Sequence, residues 1–230
     1  MQSNQVSARI SHSILDPMIG PRIKAIYPSL RIPSWFPPEG IVLAGHLSAI
    51  VGAVGLAYST TSAWAGILAA VGIAGNHFAD CIDGTHARTT GQCRNGGELL
   101  DHFTDPLSFA YYLIGIGVAC GRMDLALIAV VCLFATAILT NIKAKLIGEF
   151  TLSRFGPTEF KCILTMLGAS LATGHLFAMD SITLTTCLLF GFQALIAIGL
   201  IQLPIQLFKS VREVNRAGTP PDTTEWVCSK

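Results

Sequence analysis

The stretch from Asp80 to Asp105 reads DCIDGTHARTTGQCRNGGELLDHFTD and places five of the chain's fourteen acidic residues beside long apolar runs. Asp80 and Asp83 are spaced i,i+3, and Asp101 and Asp105 are spaced i,i+4, so each pair lies on one face of a helix. Carboxylates beside hydrocarbon are costly and by default mark function. The stretch therefore predicts two neighbouring helices whose ends bring four carboxylates into one small volume.

This arrangement favours a hard divalent cation. Four converging carboxylates repel one another, and oxygen-only ligand sets suit Mg²⁺, Mn²⁺ or Ca²⁺. We expect the connection, from Gly84 to Arg88 and on through Gly97, to be a loop in which Gly84 allows close approach of a ligand. Arg88 supplies a planar fork suited to phosphate. Two close metal ions could hold both oxygens of an in-line displacement, so the pattern indicates a substrate with a diphosphate.

The composition places the chain among membrane proteins. Its 230 residues are 51% hydrophobic and only 13% charged, with a mean hydropathy of +0.57, whereas soluble domains carry about 25% charged residues. The net charge of +1 gives no indication of a nucleic-acid partner. The seven cysteines contain no C-x-x-C pair, so we expect neither a zinc site nor a disulfide framework.

Six apolar segments approach the length that a membrane-crossing helix needs. They predict an all-α polytopic membrane protein with spans at 41–59, 63–79, 106–120, 125–140, 160–179 and 182–208. The last segment is long enough to tilt, or to bend at Pro204. The predicted organisation is a cytoplasmic interfacial segment at 1–40, a catalytic transmembrane domain at 41–208 and a cytoplasmic tail at 209–230.

The basic residues predict the orientation. All of the fifteen Lys and Arg residues except Arg122 fall on one side of the six-span map, so the positive-inside rule puts both termini and the acidic cluster in the cytoplasm. The first forty residues hold no continuous apolar segment, and we expect no signal peptide. Between 8 and 36, apolar residues recur at loosely helical spacing around Pro17 and Pro21, which predicts a broken amphipathic helix in the interface, or else an irregular leader.

Eight fixed positions carry a family resemblance. Asp80-x-x-Asp83-Gly84-x-x-Ala87-Arg88, eight residues, then Gly97-x-x-x-Asp101-x-x-x-Asp105 resembles the signature of the CDP-alcohol phosphotransferases. The resemblance implies that the four Asp hold two divalent ions, Mg²⁺ or Mn²⁺. It also implies that Gly84, Ala87, Arg88 and Gly97 bind the cytidine diphosphate of the donor, and that Asp105 takes the proton from the attacking hydroxyl. The products would be a phosphodiester and CMP, and the enzyme would be a homodimer.

Two further segments resemble the choline/ethanolamine branch of that family. Gly-Glu-Leu-Leu-Asp-His, ending at His102, is similar to its Gly-Glu-Leu-Phe-Asp-His, and Gly-Pro-Thr-Glu, ending at Glu159, also resembles a segment of that group. The donor would then be CDP-choline or CDP-ethanolamine and the acceptor diacylglycerol. His102 becomes a rival base, because imidazole titrates near neutral pH, and Glu159 could face the alkylammonium head. The alternative is transfer of a phosphatidyl group from CDP-diacylglycerol to a small soluble alcohol.

Two other classes share some of these features. A transporter would carry its acidic residues near the midplane, and a membrane phosphohydrolase would use the same metal chemistry with water as acceptor. The basic residues Lys143, Lys145 and Lys161 either contact an acidic lipid or a diphosphate or form a snorkelling rim at the membrane surface. We expect the rim.

Overall fold

The computed structural model describes residues 8–152, 155–218, 220 and 223. In this part of the chain, seven α-helices form an all-α fold with one small two-stranded sheet. The elements are β1 (Ala8–Ser11), α1 (Asp16–Ile26), a 3₁₀ turn (Tyr27–Leu30), α2 (Pro38–Tyr58), α3 (Ala63–Thr90), α4 (Asn95–Ala119), α5 (Met123–Ile147), β2 (Glu149–Leu152), α6 (Pro157–Leu176) and α7 (Ser181–Ala217). Helices α2 to α7 occupy the six positions at which the sequence predicts helices.

Four of the described helices, α2, α3, α5 and α7, are long and apolar enough to cross a membrane. The chain therefore has the helices of a multi-pass membrane protein. Helices α4 and α6 are 25 and 20 residues long, but they carry the charged side chains of Asp101, Asp105, Glu159 and Lys161 near their N-terminal ends. These side chains lower the hydropathy of both helices.

The prediction of a loop from Gly84 to Arg88 is wrong. These residues lie inside α3, which continues to Thr90. A single glycine within a helix costs only about 1 kcal/mol relative to alanine, and Ala87 and Arg88 are good helix formers. The helix ends where Gly91 adopts φ +69° and the Gln92 N–H donates to the Ala87 carbonyl at 2.8 Å, which is a left-handed glycine C-cap.

Helix α3 lies between α2 and α6 and packs along both. The contact with α6 depends on small residues: a Cβ placed on Gly66 would lie 2.7 Å from the Ala172 nitrogen and 2.8 Å from the Gly168 carbonyl. Such close backbone approach is typical of helix pairs in membranes. Helix α4 packs mainly along α2, so α2 holds α3 and α4 together while their polar ends face each other.

The N-terminal segment corrects a second expectation. Of the broken amphipathic helix expected over 8–36, the helical state is confirmed for α1, and its location in the membrane interface stays a prediction. Ala8–Ser11 is instead a strand that pairs in parallel with Glu149–Leu152. A four-residue strand has too few positions for alternation to be read, and its partner lies far away in sequence.

His86, which is fully buried on α3, forms hydrogen bonds with the part of this segment that follows α1. Its Nε2 donates to the Phe36 carbonyl at 2.8 Å, so in the neutral ring Nδ1 accepts from the Tyr27 hydroxyl, also at 2.8 Å. Gln92 Nε2 also donates to the Phe36 carbonyl, at 3.1 Å, and to the Ser34 carbonyl at 2.8 Å. The N-terminal segment is thus tied to the same end of α3 that carries Asp80 and Asp83.

Helix α7 is longer than predicted at its C-terminal end. It runs as one helix through Pro204 to Ala217, beyond the expected end at 208. Of the proposed tail at 209–230, residues 209–217 are therefore helical, and most of the remainder lies outside the described residues.

Candidate metal centre

Three carboxylates meet between α3 and α4. One oxygen each of Asp80, Asp101 and Asp105 lies within 4.8 Å of the others, and all three side chains are half-buried. Helical spacing accounts for one part of this, because Asp101 and Asp105 are one turn apart on α4. The short connection between α3 and α4 accounts for the other part, because it keeps Asp80 on α3 near them. The convergence of these three residues was predicted from the sequence.

Asp83 belongs to the same cavity but has a different orientation. It is buried, and its Oδ1 accepts a hydrogen bond from the N–H of Gly84. Asp83 lines the cavity together with the three clustered carboxylates, although it is outside the group whose oxygens lie within 4.8 Å of one another. All four predicted aspartates therefore face one space.

The other walls of the cavity are polar as well as apolar. The remaining lining residues come from α2, α3 and α4 and are Val42, His46, Asn76, Thr104 and Ser108. Asn76 is 5% exposed; its Nδ2 donates to the Gly45 carbonyl at 3.1 Å, but its buried Oδ1 has no hydrogen-bond partner among the described residues. A buried amide oxygen without a donor is costly, and Asn76 stands one helical turn before Asp80.

The residues present fit a hard divalent cation. Such ions take carboxylate and amide oxygens, and the cavity offers four carboxylates and the unpartnered Asn76 oxygen. Among the described residues, the group of close ligand atoms consists of carboxylates alone, whereas zinc sites are typically built from His and Cys. Asp80, Asp101 and Asp105 are thus a candidate site for a metal ion.

Lys161 is the main site residue that sequence reasoning missed. It was expected in a solvent-facing rim, yet its side chain is 1% exposed and its Nζ lies 2.9 Å from Asp80 Oδ2 and 3.0 Å from Asp105 Oδ1. The same ammonium group sits 5.4 Å from the centre of the Phe109 ring. The rim prediction was wrong because close packing of α6 on α3 buries this lysine of the second turn of α6, and residue order alone does not reveal a helix contact.

The predicted donor-binding residues lie at the same end of the helix pair. The guanidinium of the exposed Arg88 lies over Gly84, since a Cβ built on Gly84 would be 3.2 Å from Arg88 Nη1. Ala87, which directly precedes Arg88, is half-buried. Gly97 lies in the first turn of α4, where a Cβ would be 3.9 Å from Glu39 Oε1.

His102 does not line the cavity. It is 32% exposed, with Nε2 3.9 Å from Glu98 Oε1 one turn before it, and its ring meets the edge of Phe150 with centroids 5.3 Å apart. Asp105 does line the cavity, so the two candidate bases Asp105 and His102 occupy different surroundings.

Glu159 holds the N-terminal segment. Its Oε1 accepts from Ser13 Oγ at 2.6 Å and from the N–H groups of Ile14 and Leu15 at 2.8 and 3.0 Å. Its Oε2 accepts from the Gly156 N–H at 2.9 Å. With a residue exposure of 7%, this carboxylate has a full set of partners, and a contact with an alkylammonium head stays a prediction.

Comparison with known proteins agrees with this site. The profile of the CDP-alcohol phosphatidyltransferase family matches residues 38–200, well over half of the chain. Cholinephosphotransferase 1 of Gallus gallus is 36% identical over 95 residues, which are 39% of this chain and 28% of that protein. Cholinephosphotransferase 1 of Homo sapiens is 34% identical over 94 residues, 38% of this chain and 23% of that protein. The chain thus aligns with about a quarter of these relatives' length, and it belongs to the CDP-alcohol phosphatidyltransferase family.

Proposed function

We propose that this family member transfers a phosphoalcohol group from CDP-choline or CDP-ethanolamine to the hydroxyl of diacylglycerol, releasing CMP. The observation that carries the proposal is the convergence of Asp80, Asp101 and Asp105 within a chain that matches the family over residues 38–200. The similarity to cholinephosphotransferases and the Gly-Glu-Leu-Leu-Asp-His segment support the choice of donor.

The four aspartates and Arg88 would act on the diphosphate. Two divalent ions, Mg²⁺ or Mn²⁺, would supply charge stabilisation to the phosphate oxygens when bound. Asp80, Asp83, Asp101 and Asp105 would hold them, because all four line one cavity. Arg88 is exposed beside Gly84, where its fork can reach a phosphate from outside the cluster.

Asp105 is the base that we favour. Its side chain lines the cavity, while His102 faces Glu98 and Phe150, and a base must lie within hydrogen-bond reach of the proton that it removes. In the proposed step, an Asp105 oxygen takes the proton of the acceptor hydroxyl. At the same time, the hydroxyl oxygen of the acceptor forms its bond to the donor's phosphorus. The bond from this phosphorus to the CMP oxygen breaks, and CMP leaves.

The remaining donor contacts follow the family resemblance. Gly84 and Ala87 on α3 and Gly97 on α4 present little side-chain bulk, which would let the cytidine diphosphate lie close to both helices. Glu159 is the proposed contact of the alkylammonium head. Its oxygens accept hydrogen bonds from Ser13, Ile14, Leu15 and Gly156, so this contact requires an exchange of partners.

We further propose that α2 to α7 all cross the membrane, with both chain ends and the acidic cavity on the cytoplasmic side. The distribution of basic residues supports this orientation. The substrates would then meet at the cytoplasmic surface, where a soluble nucleotide donor and a lipid acceptor are both accessible. Family resemblance adds the proposal of a homodimer.

One alternative reaction has its own support. The matching family is described as phosphatidyltransferases, which favours transfer from CDP-diacylglycerol to a small soluble alcohol. Both reactions break the same phosphoanhydride bond beside the same carboxylates, so the cavity is compatible with either. The location of the lipid, on the acceptor or on the donor, is what separates them.

Substrate mixtures test the proposal. The protein purified in lipid would be assayed for CMP release in Mg²⁺ with CDP-choline or CDP-ethanolamine plus diacylglycerol, and separately with CDP-diacylglycerol plus small alcohols. Asp101→Asn protein, prepared in parallel, sets the background. We expect turnover in the first mixture with a new phospholipid product. Turnover only in the second would replace the proposal by its alternative, and CMP release without a new phosphodiester would indicate hydrolysis.

A further inference from the structure

Lys161 is the only buried Lys or Arg side chain in the described part of the chain. It stands in the first turns of α6, after Pro157, and faces α3 because Gly66 and Gly168 allow the two helix backbones to approach closely. Burying an ammonium group is unfavourable unless it is paired. Among the described residues, this lysine pairs with two aspartates of the candidate metal centre, Asp80 and Asp105.

The ammonium group bridges two different helices. Its Nζ donates to Asp80 Oδ2 on α3 at 2.9 Å and to Asp105 Oδ1 on α4 at 3.0 Å. On another side it lies 5.4 Å from the centre of the Phe109 ring, a distance at which a cation is attracted to the ring face. Lys161 thus connects the two sides of the carboxylate cluster from a third helix.

Asp80 and Asp105 belong both to the partners of Lys161 and to the candidate metal centre, and the same carboxylates cannot serve a lysine and a metal ion without cost. A divalent ion held by Asp80 and Asp105 would come close to the ammonium and be repelled by it, and in a half-buried site that repulsion is poorly screened. Without any cation, the four carboxylates of this cavity would repel one another. Lys161 therefore has two opposed effects: it stabilises the metal-free cluster and weakens the binding of an added cation.

We propose that Lys161 is a positioning residue that acts as the resident cation of the cluster. It holds Asp80 and Asp105 in place before an ion binds, and its charge competes with divalent ions for these two carboxylates, so that it sets the affinity of the site. The inference rests on the proposed metal centre but not on the identity of donor or acceptor.

The test compares wild type, Lys161→Met and Lys161→Arg in lipid. Lys161→Met keeps the stem of the side chain and removes the charge, whereas Lys161→Arg keeps the charge. Lys143→Met is the matched control, because Lys143 pairs with Glu213, which is not among the cavity residues. Two quantities are measured: the melting temperature in EDTA, and the dissociation constant for Mn²⁺ by calorimetry.

We expect Lys161→Met to melt at a lower temperature than wild type in EDTA and to show a larger rise in melting temperature when Mn²⁺ is added. It should also bind Mn²⁺ at least about tenfold more tightly than wild type. Lys161→Arg should restore the wild-type pattern, and Lys143→Met should not alter Mn²⁺ affinity. If Lys161→Met cannot be purified, Lys161→Gln replaces it in both measurements.

Three results would overturn the inference in distinguishable ways. Unchanged Mn²⁺ affinity in Lys161→Met means that the lysine does not compete for the site. Weaker Mn²⁺ binding in the same variant means that Lys161 supports the bound ion rather than opposing it. Failure of the wild-type protein to bind Mn²⁺ would refute the metal centre itself, and with it the proposed function.

Discussion

Replacement of Glu159 by alanine should release the N-terminal segment from α6. The carboxylate accepts four hydrogen bonds, from Ser13 Oγ and from the N–H groups of Ile14, Leu15 and Gly156. Each hydrogen bond to a charged group contributes about 1.5–3 kcal/mol, and its loss is partly offset when the donors reach water. For a set that opens as one unit we take a total of about 3 kcal/mol, which corresponds to about a hundredfold change in the opening equilibrium.

Hydrogen exchange followed by mass spectrometry measures this quantity. Peptides covering residues 8–16 should lose about a hundredfold of protection in Glu159→Ala, because amide protection reports the free energy of local opening. The core peptides of α4 around Tyr112, which is fully buried, should be unaffected. Glu213→Ala is the control, since it removes an acidic side chain that pairs with Lys143.

The same variant separates two roles of Glu159. Unchanged protection of residues 8–16 would refute the holding role that the hydrogen bonds indicate. If protection is unchanged and the KM for the CDP-linked donor rises instead, the predicted contact with the alkylammonium head is supported. Loss of protection at residues 8–16 without a matching rise in the KM for the donor supports the role of Glu159 in holding the N-terminal segment.

Three further predictions concern the cavity and the helices that form it. Replacement of a carboxylate that we propose as a metal ligand by the corresponding amide should abolish turnover with the helical circular dichroism unchanged. The substitutions are Asp80→Asn, Asp83→Asn and Asp101→Asn, and retained turnover in any of them would contradict its assignment as a ligand. Asp105→Asn should lower kcat more than it weakens donor binding, measured by steady-state kinetics and nucleotide binding; if His102→Ala has this effect and Asp105→Asn does not, His102 is the base. Gly66→Val should lower the free energy of unfolding by about 1–3 kcal/mol or more, and with it the melting temperature, because a Cβ there meets the α6 backbone at 2.7 Å. Gly191→Val should not, since a Cβ at Gly191 has nothing within 4 Å; equal effects of the two substitutions would refute the close contact of α3 and α6.

The sequence was most informative where one local property determines the result. Apolar length predicted helices at the positions of α2 to α7 because each backbone polar group in a membrane must be satisfied within its own segment. The spacing of Asp101 and Asp105 predicted that both lie on one face of α4, and the short connection to α3 predicted that Asp80 lies near them. Both inferences need only the residue order, the geometry of a helix and the length of one connection.

Other features depend on contacts between distant segments, which residue order does not display. The strand Ala8–Ser11 forms because Glu149–Leu152 offers a partner, and nothing within four residues indicates such a partner. The helical state of Gly84 is a balance between a small propensity cost and continuation of α3 to Gly91. Lys161 resembles a surface lysine in sequence, and only the packing of α6 on α3 buries it.

The dependence of CMP release on a divalent ion tests the central claim most directly. The purified protein, supplied with CDP-choline, CDP-ethanolamine or CDP-diacylglycerol and the matching acceptor, would be treated with EDTA and then with excess Mg²⁺ or Mn²⁺. We predict that chelation stops CMP release and that either ion restores it in the wild type but not in Asp101→Asn. Continued CMP release in excess EDTA, or restoration in Asp101→Asn equal to that of the wild type, would contradict a metal-dependent transferase built on this aspartate cluster.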